Sequence, residues 1–364
     1  MMVASAFIEG NISIAKGAVS AGCKYFFGYP ITPQSDIGEY LSRELPKMGG
    51  AFVQSEGELS AIYMLYGGAL AGERVMTSTS SCGFSLMQEG VSYIAEAEMP
   101  CVLVDVMRAG PGIGTGGQQA QTDYRQMTKG GGHGAYRNII LAPYSSQECY
   151  DLTQLAFHLA DKYNIMAVVL SDFIIGRMAE KVEFKDYPYG PPPEKKWALK
   201  GKGKKGGEFS TNMGGAFSYG GPHLYYKSVG EKYNKIIESE IRYETFMVDD
   251  ADLLVVSYGS SARMSTFAIN RARDEGLKVG MFRPISVWPF PESELAETAW
   301  KIGKVLVVED SPGELLDDVK CALQGKVPID FLGITERHNP VGSFGGGSGI
   351  LYPERILEEI KRCV

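Results

Sequence analysis

The first half of the chain alternates short apolar segments with longer helix-like stretches, and this alternation constrains the fold more than any other feature. We interpret the apolar segments as buried strands at residues 25–27, 51–53, 75–77, 101–106, 138–141 and 166–170. Helical spacing of small and apolar residues marks the stretches at 11–21, 57–71, 84–97 and 146–163. Such alternation predicts a mostly parallel sheet with helices on both faces. We expect this α/β domain to cover residues 1–185.

A break after residue 185 separates this pattern from a second one. Prolines, then lysines and glycines, dominate residues 188–207, a composition typical of an exposed loop. The stretch is either a solvated loop or a basic patch that meets an acidic partner. A charged helix is expected at 225–246. Beyond it we expect strands at 252–258, 278–282, 304–308 and 328–331, and helices at 262–275, 292–301 and 313–323. The predicted division is therefore a first domain at 1–185, a linker with a loop and a helix at 186–245, and a smaller parallel α/β domain at 246–364.

Length and composition exclude several classes of protein. A chain of 364 residues exceeds the usual size of one core, so two domains are expected. The net charge of −7 argues against a nucleic-acid-binding protein, because no basic excess is available to neutralise phosphates. No apolar run approaches the roughly 18 to 20 residues of a membrane helix, and the N-terminus does not resemble a secretion signal. We expect a cytoplasmic protein.

The cysteines are scattered rather than clustered. None of the six lies within four residues of another, so the sequence contains no iron–sulfur or zinc ligand spacing. We predict that the chain binds no metal and that its thiols are mostly buried in a reducing compartment.

A loop with two prolines is the strongest local motif. Between Gly28 and Gln34 the chain reads Gly-Tyr-Pro-Ile-Thr-Pro-Gln, and residues 54–58 read Gln-Ser-Glu-Gly-Glu. Each proline fixes its own φ angle and pushes the preceding residue into an extended conformation, so the loop presents Thr32 at a fixed position, as a site for a small polar substrate requires. An ordinary strand-to-helix turn, with Glu56 in the first turn of the helix where the dipole favours an acid, explains the same residues.

These two motifs resemble the pyrimidine-binding domain of the 2-oxoacid:ferredoxin oxidoreductases, which are thiamine diphosphate enzymes. Residues 77–90, with the sequence Thr-Ser-Thr-Ser-Ser-Cys-Gly opening into a helix, are similar to the next loop and helix of that family. Residues 105–112 and 129–134 resemble the alpha chain of its 2-oxoisovalerate (branched-chain) group. The second domain looks like the C-terminal domain of the transketolase superfamily. The order and spacing of these motifs cover nearly the whole chain.

The resemblance implies roles for the residues of both motifs. In thiamine chemistry a glutamate hydrogen-bonds the N1′ atom of the cofactor's pyrimidine ring, which lets the 4′-imino group deprotonate C2. Glu56 matches that catalytic and cofactor-binding glutamate, and burial against apolar surface would raise its carboxyl pKa. Pro30 and Ile31 are expected to line the cofactor site, and Thr32 to contact substrate. We assign Glu58, two residues away on the helix, a structural role.

Arg108 follows the predicted strand at 101–106, at the carboxyl edge where open α/β sheets place ligands. A guanidinium group there can clamp a substrate carboxylate through two hydrogen bonds. A surface arginine is the alternative from the residues alone, and the resemblance favours the substrate-binding role.

Two further motifs carry less information. Residues 112–117 match the GxGxxG pattern, but a proline precedes them and no acid follows about twenty residues later, so we reject a nicotinamide site and expect a flexible loop that lines a substrate cavity. His133 lies in a triple-glycine loop beside Lys129. It contacts substrate or cofactor, or is only solvated or hydrogen-bonded.

Half of a thiamine site is missing from the sequence. The family holds the diphosphate through Mg²⁺ on a Gly-Asp-Gly motif, which this chain lacks, and it carries electrons on cysteine-bound clusters, which are absent too. The resemblance therefore implies a beta subunit with that motif, a gamma subunit, and a ferredoxin-like delta subunit with the iron–sulfur clusters.

We predict the alpha chain of a 2-oxoacid:ferredoxin oxidoreductase, closest to the 2-oxoisovalerate type. The complex would convert a 2-oxoacid, coenzyme A and oxidised ferredoxin into acyl-CoA, carbon dioxide and reduced ferredoxin. A 2-oxoglutarate enzyme is one alternative, because its second carboxylate needs a further basic residue that a sequence does not reveal. A non-catalytic scaffold that kept the fold is another. The joint presence of Thr32, Glu56 and Arg108 argues against a scaffold.

Overall fold

A computed structural model of the protein describes residues 4–185, 187–200, 218–334 and 351–364. Most of the glycine- and lysine-rich part of the basic stretch lies outside the described residues, so neither interpretation of that stretch is tested. Of the helices described, none is long and apolar enough to cross a bilayer.

The described residues form helices and strands in the alternating order that the sequence predicts. In chain order these elements are β1 (Ala4–Glu9), α1 (Gly10–Ser20), β2 (Tyr25–Gly28), α2 (Ser35–Glu44), β3 (Ala51–Gln54), α3 (Glu58–Leu70), β4 (Val75–Thr79), α4 (Cys82–Glu96), β5 (Cys101–Met107), α5 (Tyr124–Thr128), β6 (Ile139–Leu141), α6 (Ser146–Tyr163), β7 (Met166–Asp172), α7 (Phe173–Arg177), β8 (Ala179–Phe184), α8 (Pro222–Glu240), β9 (Tyr243–Phe246), β10 (Leu253–Val256), α9 (Gly259–Asp274), β11 (Val279–Pro284), β12 (Ser286–Trp288), α10 (Glu292–Ile302), β13 (Val305–Val308), α11 (Glu314–Leu323), β14 (Ile329–Leu332) and α12 (Pro353–Cys363). A short 3₁₀ turn, Pro46–Met48, follows α2.

The larger sheet within the described residues has seven strands in the order β12-β6-β7-β5-β4-β2-β3. Its pairs are parallel except for β12, which runs antiparallel to β6. Apolar helix faces cover both sides, with α3 and α4 in one core and α1, α2 and α6 in the other. The predicted α/β fold of the first half is confirmed.

The second sheet in the described residues has five strands in the order β14-β13-β10-β11-β9. Its central pairs are parallel, and β9 is antiparallel to β11. The helix predicted at 225–246 was wrong at its end, because α8 stops at Glu240 and Tyr243–Phe246 forms the edge strand β9. The ring of Tyr243 stacks on Phe282 of β11 at a centroid distance of 4.9 Å, a cross-strand contact that favours a strand here.

A third sheet in the described residues pairs β1 with β8 antiparallel. The seven-stranded and five-stranded sheets share a packed boundary. One hydrophobic core joins residues of the first sheet to Tyr258, Phe282 and other residues of the second half. Across this boundary Tyr124 of α5 donates a hydrogen bond to Asp318 of α11 at 2.7 Å. The strand β12 belongs to the second half of the chain but pairs with the first sheet. The boundaries at residues 185 and 245 stay predictions.

Candidate active site

The functional candidates lie at one edge of the larger sheet. The parallel strands β2, β3, β4 and β5 end there together, since Gly28 pairs with Gln54 and Thr79 with Asp105. The loops after these strands carry Thr32, Glu56, Ser81 and Arg108, which explains how residues far apart in sequence share one edge.

Three side-chain hydrogen bonds fix the double-proline loop and the glutamine at its end. The Asn11 side chain donates to the Pro33 carbonyl at 2.7 Å, and the Gln34 amide donates to the Tyr29 carbonyl at 3.1 Å. The Ser78 hydroxyl donates to the Gln34 side-chain oxygen. Sequence reasoning missed the roles of Asn11 and Gln34: Gln34 ends the loop motif, whereas Asn11 lies 22 residues before Pro33 and carries no signal in the sequence.

Within this rigid loop the predicted contact residues face outward. Pro30 and Thr32 are exposed, and Ile31 is half-buried. The carbonyl of Thr32 points to Arg108, whose Nη1 donates to it at 2.7 Å. The structure therefore brings together Thr32 and Arg108 through the Thr32 backbone carbonyl, and their substrate-binding roles stay predictions.

The Arg108 guanidinium group is nearly buried, with 4% of the residue exposed. Its Nη2 donates to the Cys82 sulfur at 3.0 Å, and its Nε has no hydrogen-bond partner among the described atoms. Sulfur is a weak acceptor, so the edge formed by Nε and Nη2 retains capacity for a carboxylate, which binds a guanidinium through two parallel bonds. Nη1 anchors the group, while Nε is buried without a partner and Nη2 contacts only a weak acceptor among the described residues.

A glycine-rich loop covers Arg108. A Cβ atom added at Gly116 would lie 3.1 Å from Nη1, so only glycine fits against the guanidinium without a shift. Next to it lies a cavity of about 720 Å³. Residues of both halves of the chain line this cavity: Ser81, Cys82, Ser85, Ala109, Gly110, Pro111, Gly112, Ala120, Thr122, Asp123, Arg125, Gln126, Gly130, Pro312, Glu314 and Ile334. The start of the predicted 112–117 loop thus lines a cavity, and Gly116 packs on the arginine.

Glu56 follows β3 at the same edge and is exposed. The Ser60 hydroxyl donates to its carboxylate, and this bond lowers the carboxyl pKa below its usual value. The expected burial and raised pKa are therefore wrong for this chain alone, because none of the residues that the structure describes buries the group under an apolar surface. The catalytic role of Glu56 stays a prediction. Its exposure leaves the carboxylate open to a ligand or another chain.

Glu58, in contrast, is buried at the first turn of α3. A Cβ atom added at Gly83 would lie 2.6 Å from its carboxylate and 2.2 Å from the Thr79 hydroxyl, so Gly83 permits close approach of α3, β4 and α4. This packing is in keeping with the structural role predicted for Glu58.

Ser81 forms a strained turn between β4 and α4. Its backbone has a φ of 39° and a ψ of −95°, a conformation that costs a non-glycine residue on the order of 1–3 kcal/mol. Three hydrogen bonds hold it. Its N–H donates to Asp105 at 3.1 Å, its hydroxyl donates to Asp123, and its hydroxyl oxygen accepts the backbone N–H of Arg108 at 3.2 Å.

Sequence reasoning missed Ser81, Asp105 and Asp123. Asp105 is fully buried on β5, and Asp123 has 4% of its surface exposed. Burial, reinforced by the neighbouring charge of Asp123, raises the pKa of Asp105 well above its usual value. Burial also raises the pKa of Asp123 to about 6, although hydrogen bonds from Ser81 and Gln126 oppose this shift. An aspartate inside a predicted buried strand was the available signal, because such a group needs a partner.

His133 lies away from this edge. Its ring contacts Tyr93 edge-on at a centroid distance of 5.5 Å. It lines a separate cleft of about 250 Å³ with Tyr225 and Tyr226. The structure does not bring His133 to the cavity beside Arg108.

Comparison with known proteins agrees with this arrangement. Residues 16–234 match the family described as pyruvate flavodoxin/ferredoxin oxidoreductase, thiamine diphosphate-binding. Residues 251–340 match core domain II of pyruvate:ferredoxin oxidoreductase. The chain belongs to the 2-oxoacid:ferredoxin oxidoreductase family. The order of the two matches follows the two sheets of the structure.

Curated members of the family are similar over most of the chain. The ketoisovalerate oxidoreductase subunit VorB of Methanothermobacter marburgensis is 45% identical over 320 residues, which cover 88% of this chain and 90% of the relative. The 2-oxoglutarate synthase subunit KorA of the same organism is 38% identical over 90% of this chain and 93% of the relative. The predicted family is thereby confirmed.

Solved structures show the same fold. A 2-oxoglutarate:ferredoxin oxidoreductase from Magnetococcus marinus, with 2-oxoglutarate, coenzyme A and succinyl-CoA bound, matches with a TM-score of 0.86 and 26% identity. The match covers 98% of this chain and 65% of that chain. A split-gene transketolase matches with a TM-score of 0.62 at 12% identity, which supports the transketolase-like fold alone.

Proposed function

We propose that this chain is the alpha subunit of a 2-oxoacid:ferredoxin oxidoreductase that acts on 2-oxoisovalerate or a similar branched-chain 2-oxoacid, with coenzyme A as co-substrate. The observation that carries this proposal is the hydrogen bond between Arg108 and the carbonyl of Thr32 at the sheet edge that also carries Glu56. The similarity to a ketoisovalerate oxidoreductase subunit supports the substrate class.

The described residues fit the pyrimidine side of a thiamine diphosphate site. Glu56 offers an exposed carboxylate, and the rigid loop offers Pro30 and Ile31 beside it. When bound, thiamine diphosphate supplies a carbon nucleophile that attacks the keto group and accepts the electrons left by decarboxylation. Glu56 would hydrogen-bond N1′ of the pyrimidine ring and hold a proton there. A covering partner chain would exclude water from Glu56 and raise its pKa towards the range this role needs.

Arg108 would bind the substrate carboxylate through Nε and Nη2. Nε lacks a partner among the described atoms, and the contact of Nη2 with the Cys82 sulfur is weak enough to be displaced. Thr32 would orient the keto oxygen through its exposed hydroxyl. These residues bind and orient the substrate, and Gly116 excludes water from the guanidinium.

A 2-oxoglutarate substrate is the second candidate, since two relatives act on it by name. Its distal carboxylate would need a second cation. The cavity wall formed by the described residues carries one besides the nearby Arg108, namely Arg125, and its guanidinium is already paired with Asp317. Glu314 and Asp123 on the same wall would repel a carboxylate. This wall favours an uncharged substrate side chain.

Other subunits would complete the enzyme. The face shared by α3 and α4 exposes large apolar side chains: Leu59, Tyr63, Met64 and Leu86. Glu56 lies two residues before α3, so it is close in sequence to this apolar face. We assign the apolar face to contact with the beta subunit that carries the Gly-Asp-Gly motif. That subunit would hold the diphosphate and Mg²⁺.

A gamma subunit and a ferredoxin-like delta subunit with iron–sulfur clusters would carry electrons to ferredoxin. The proposed location is the cytoplasm, where thiols such as those of this chain stay reduced.

The test is the activity of the purified complex of this chain with its partner subunits. Reduction of ferredoxin should require both coenzyme A and a 2-oxoacid, with kcat/KM at least tenfold higher for 2-oxoisovalerate than for 2-oxoglutarate. The chain alone should show no turnover. A preference for 2-oxoglutarate would select the second candidate, and a complex inactive with every 2-oxoacid would point to a scaffold.

A further inference from the structure

Two buried carboxyl groups accept hydrogen bonds from Ser81 in the wall of the proposed substrate cavity. Asp105 is on β5, and Asp123 precedes α5 and lines the cavity together with Ser81. Neither carboxyl group forms an ion pair with a cation among the described residues. Two adjacent ionised carboxylates without a cation are unfavourable in a buried site.

The hydrogen bonds indicate where a proton sits. Asp123 accepts bonds on both oxygens, from the Ser81 hydroxyl and from the Gln126 amide at 2.7 Å. Asp105 accepts the Ser81 N–H on one oxygen, whereas its Oδ2 is buried and finds no donor. Asp105 and Asp123 accept the N–H and the hydroxyl of the same residue, Ser81, and each acts on the pKa of the other. A proton on Asp105 Oδ2, donated to Asp123, would satisfy every one of these atoms.

The same bonds control the position of Arg108. Ser81 has a positive φ angle, both aspartates accept hydrogen bonds from it, and its hydroxyl oxygen accepts the backbone N–H of Arg108 at 3.2 Å. We propose that Asp105 and Asp123 share one proton and, through Ser81, act as positioning residues that hold Arg108 for the substrate carboxylate. This inference rests on the proposed function in assigning a carboxylate to Arg108.

Loss of the shared proton would place two repelling charges under Ser81 and release the turn. Burial raises the pKa of both groups above the value of an exposed aspartate, with Asp123 at about 6 and Asp105 well above its usual range. The pair therefore favours holding one proton at a pH where exposed aspartates have lost theirs. The titratable and charged groups that face the pair are Arg108, Cys82, Glu314 and Tyr258.

Two isosteric substitutions, made in the full complex, test the inference. In Asp105→Asn the amide can donate permanently to Asp123 while its oxygen still accepts the Ser81 N–H, so KM for the 2-oxoacid near pH 7 should rise less than threefold. In Asp123→Asn one of the two accepted bonds must be lost, so KM should rise about tenfold or more, with a smaller change in kcat. Equal effects of both variants would overturn the shared proton.

The pH profile provides the decisive readout. In the unchanged enzyme KM should rise severalfold as the pair loses its proton with rising pH, whereas in Asp105→Asn this rise should largely disappear. A purely structural role of the aspartates would leave the two profiles parallel, which would overturn the inference.

Thermal unfolding of the chain separates this inference from the proposed function and from misfolding of Asp123→Asn. A carboxyl group whose pKa is higher in the folded chain than in the unfolded chain stabilises the fold at low pH. This stabilisation is lost as the pH rises from the unfolded pKa through the folded pKa. The melting temperature of the unchanged chain should thus fall more steeply from pH 6 to pH 9 than that of Asp105→Asn. Parallel curves would refute the shared proton even if no 2-oxoacid were turned over.

Discussion

At the scale of single residues, this chain fixes the orientation of Arg108 more firmly than that of Glu56. Arg108 is buried and anchored by Thr32, so its orientation is set before any ligand arrives. Glu56 is exposed, and among the described residues its side chain is held by a hydrogen bond from Ser60. The two residues therefore make separable predictions for substrate binding and cofactor activation.

Glu56→Gln in the assembled complex should lower kcat by roughly two to four orders of magnitude, since the amide cannot hold the proton that a positioned acid–base group supplies. The melting temperature should change little, because Glu56 is exposed. Steady-state kinetics and thermal unfolding measure both effects, and the exposed Glu297→Gln provides a matched control. Unchanged turnover would remove Glu56 from the mechanism.

Arg108→Lys keeps the positive charge but loses the planar pair of donors. Loss of one charge-assisted hydrogen bond costs about 1.5–3 kcal/mol, so kcat/KM should fall roughly ten- to hundredfold, mainly through KM. Hydrogen–deuterium exchange at thiamine C2 should stay near normal. Thr32→Val should act in the same direction but more weakly. Abolished C2 exchange with intact substrate affinity would reverse the roles of Arg108 and Glu56.

At the scale of elements, the site is formed by loops that follow parallel strands, and the loop at 110–117 covers Arg108. The loop at 110–117 packs Gly116 against Arg108, while Gly114 of the same loop has open space around it. Neither glycine has a positive φ angle, so a substitution at either position tests contact rather than backbone strain.

Gly116→Ala should raise KM for the 2-oxoacid about threefold to tenfold, because the new methyl group would lie 3.1 Å from Nη1 and must displace the guanidinium. Gly114→Ala is the matched control and should stay within twofold of the unchanged enzyme. Steady-state kinetics of both variants measure this difference in KM. Equal behaviour would show that the loop does not hold the arginine.

The apolar face of α3 and α4 makes a prediction about assembly. Leu86→Glu places a charge at a side chain that is 58% exposed, so the isolated chain should fold normally. If the beta subunit covers this face, burial of the new charge should weaken their association at least tenfold in size-exclusion or calorimetric measurements. Leu224→Glu on α8, at 48% exposure, is the matched control. Normal assembly of Leu86→Glu would place the partner elsewhere.

At the scale of the whole molecule, a polar network joins the two sheets. Gln119 donates to Asp310 at 3.2 Å, and Gln121 donates to Asp172 at the same distance. Burial, together with the charge of Asp172, raises the pKa of Asp310 to about 7. The packing of the two halves is therefore coupled to pH near neutrality.

The unfolding free energy should fall as pH rises through this range, since a folded pKa above the unfolded value of 3.8 stabilises only while the group is protonated. Between pH 6 and pH 8.5 the loss from Asp310 should be on the order of 1 kcal/mol, because stability falls by about 1.36 kcal/mol per pH unit between the unfolded and folded pKa values and levels off above the folded pKa of about 7. Asp310→Asn should flatten this dependence in urea unfolding, whereas the exposed Asp252→Asn should not. An unchanged slope would show that Asp310 is not the titrating group.

The sequence alone determined the α/β class and most of the elements of both sheets. Strand–helix alternation is a local signal, so β2 to β7 and α1, α3, α4 and α6 were predicted close to their observed bounds. The end of α8 and the strand β9 were not, because an edge strand is stabilised by its pairing with β11 rather than by its own pattern. The motifs around Thr32, Glu56 and Arg108 also carried the family assignment, which the comparisons confirm.

Only the tertiary structure decided what surrounds those residues. It placed Arg108 against Thr32 and Gly116, left Glu56 exposed, and assembled Ser81, Asp105 and Asp123 into one buried cluster. The physical reason is that burial and pKa shifts depend on contacts between residues distant in sequence. The local sequence around an aspartate in a strand is the same whether or not a second carboxyl group lies near it in the folded chain.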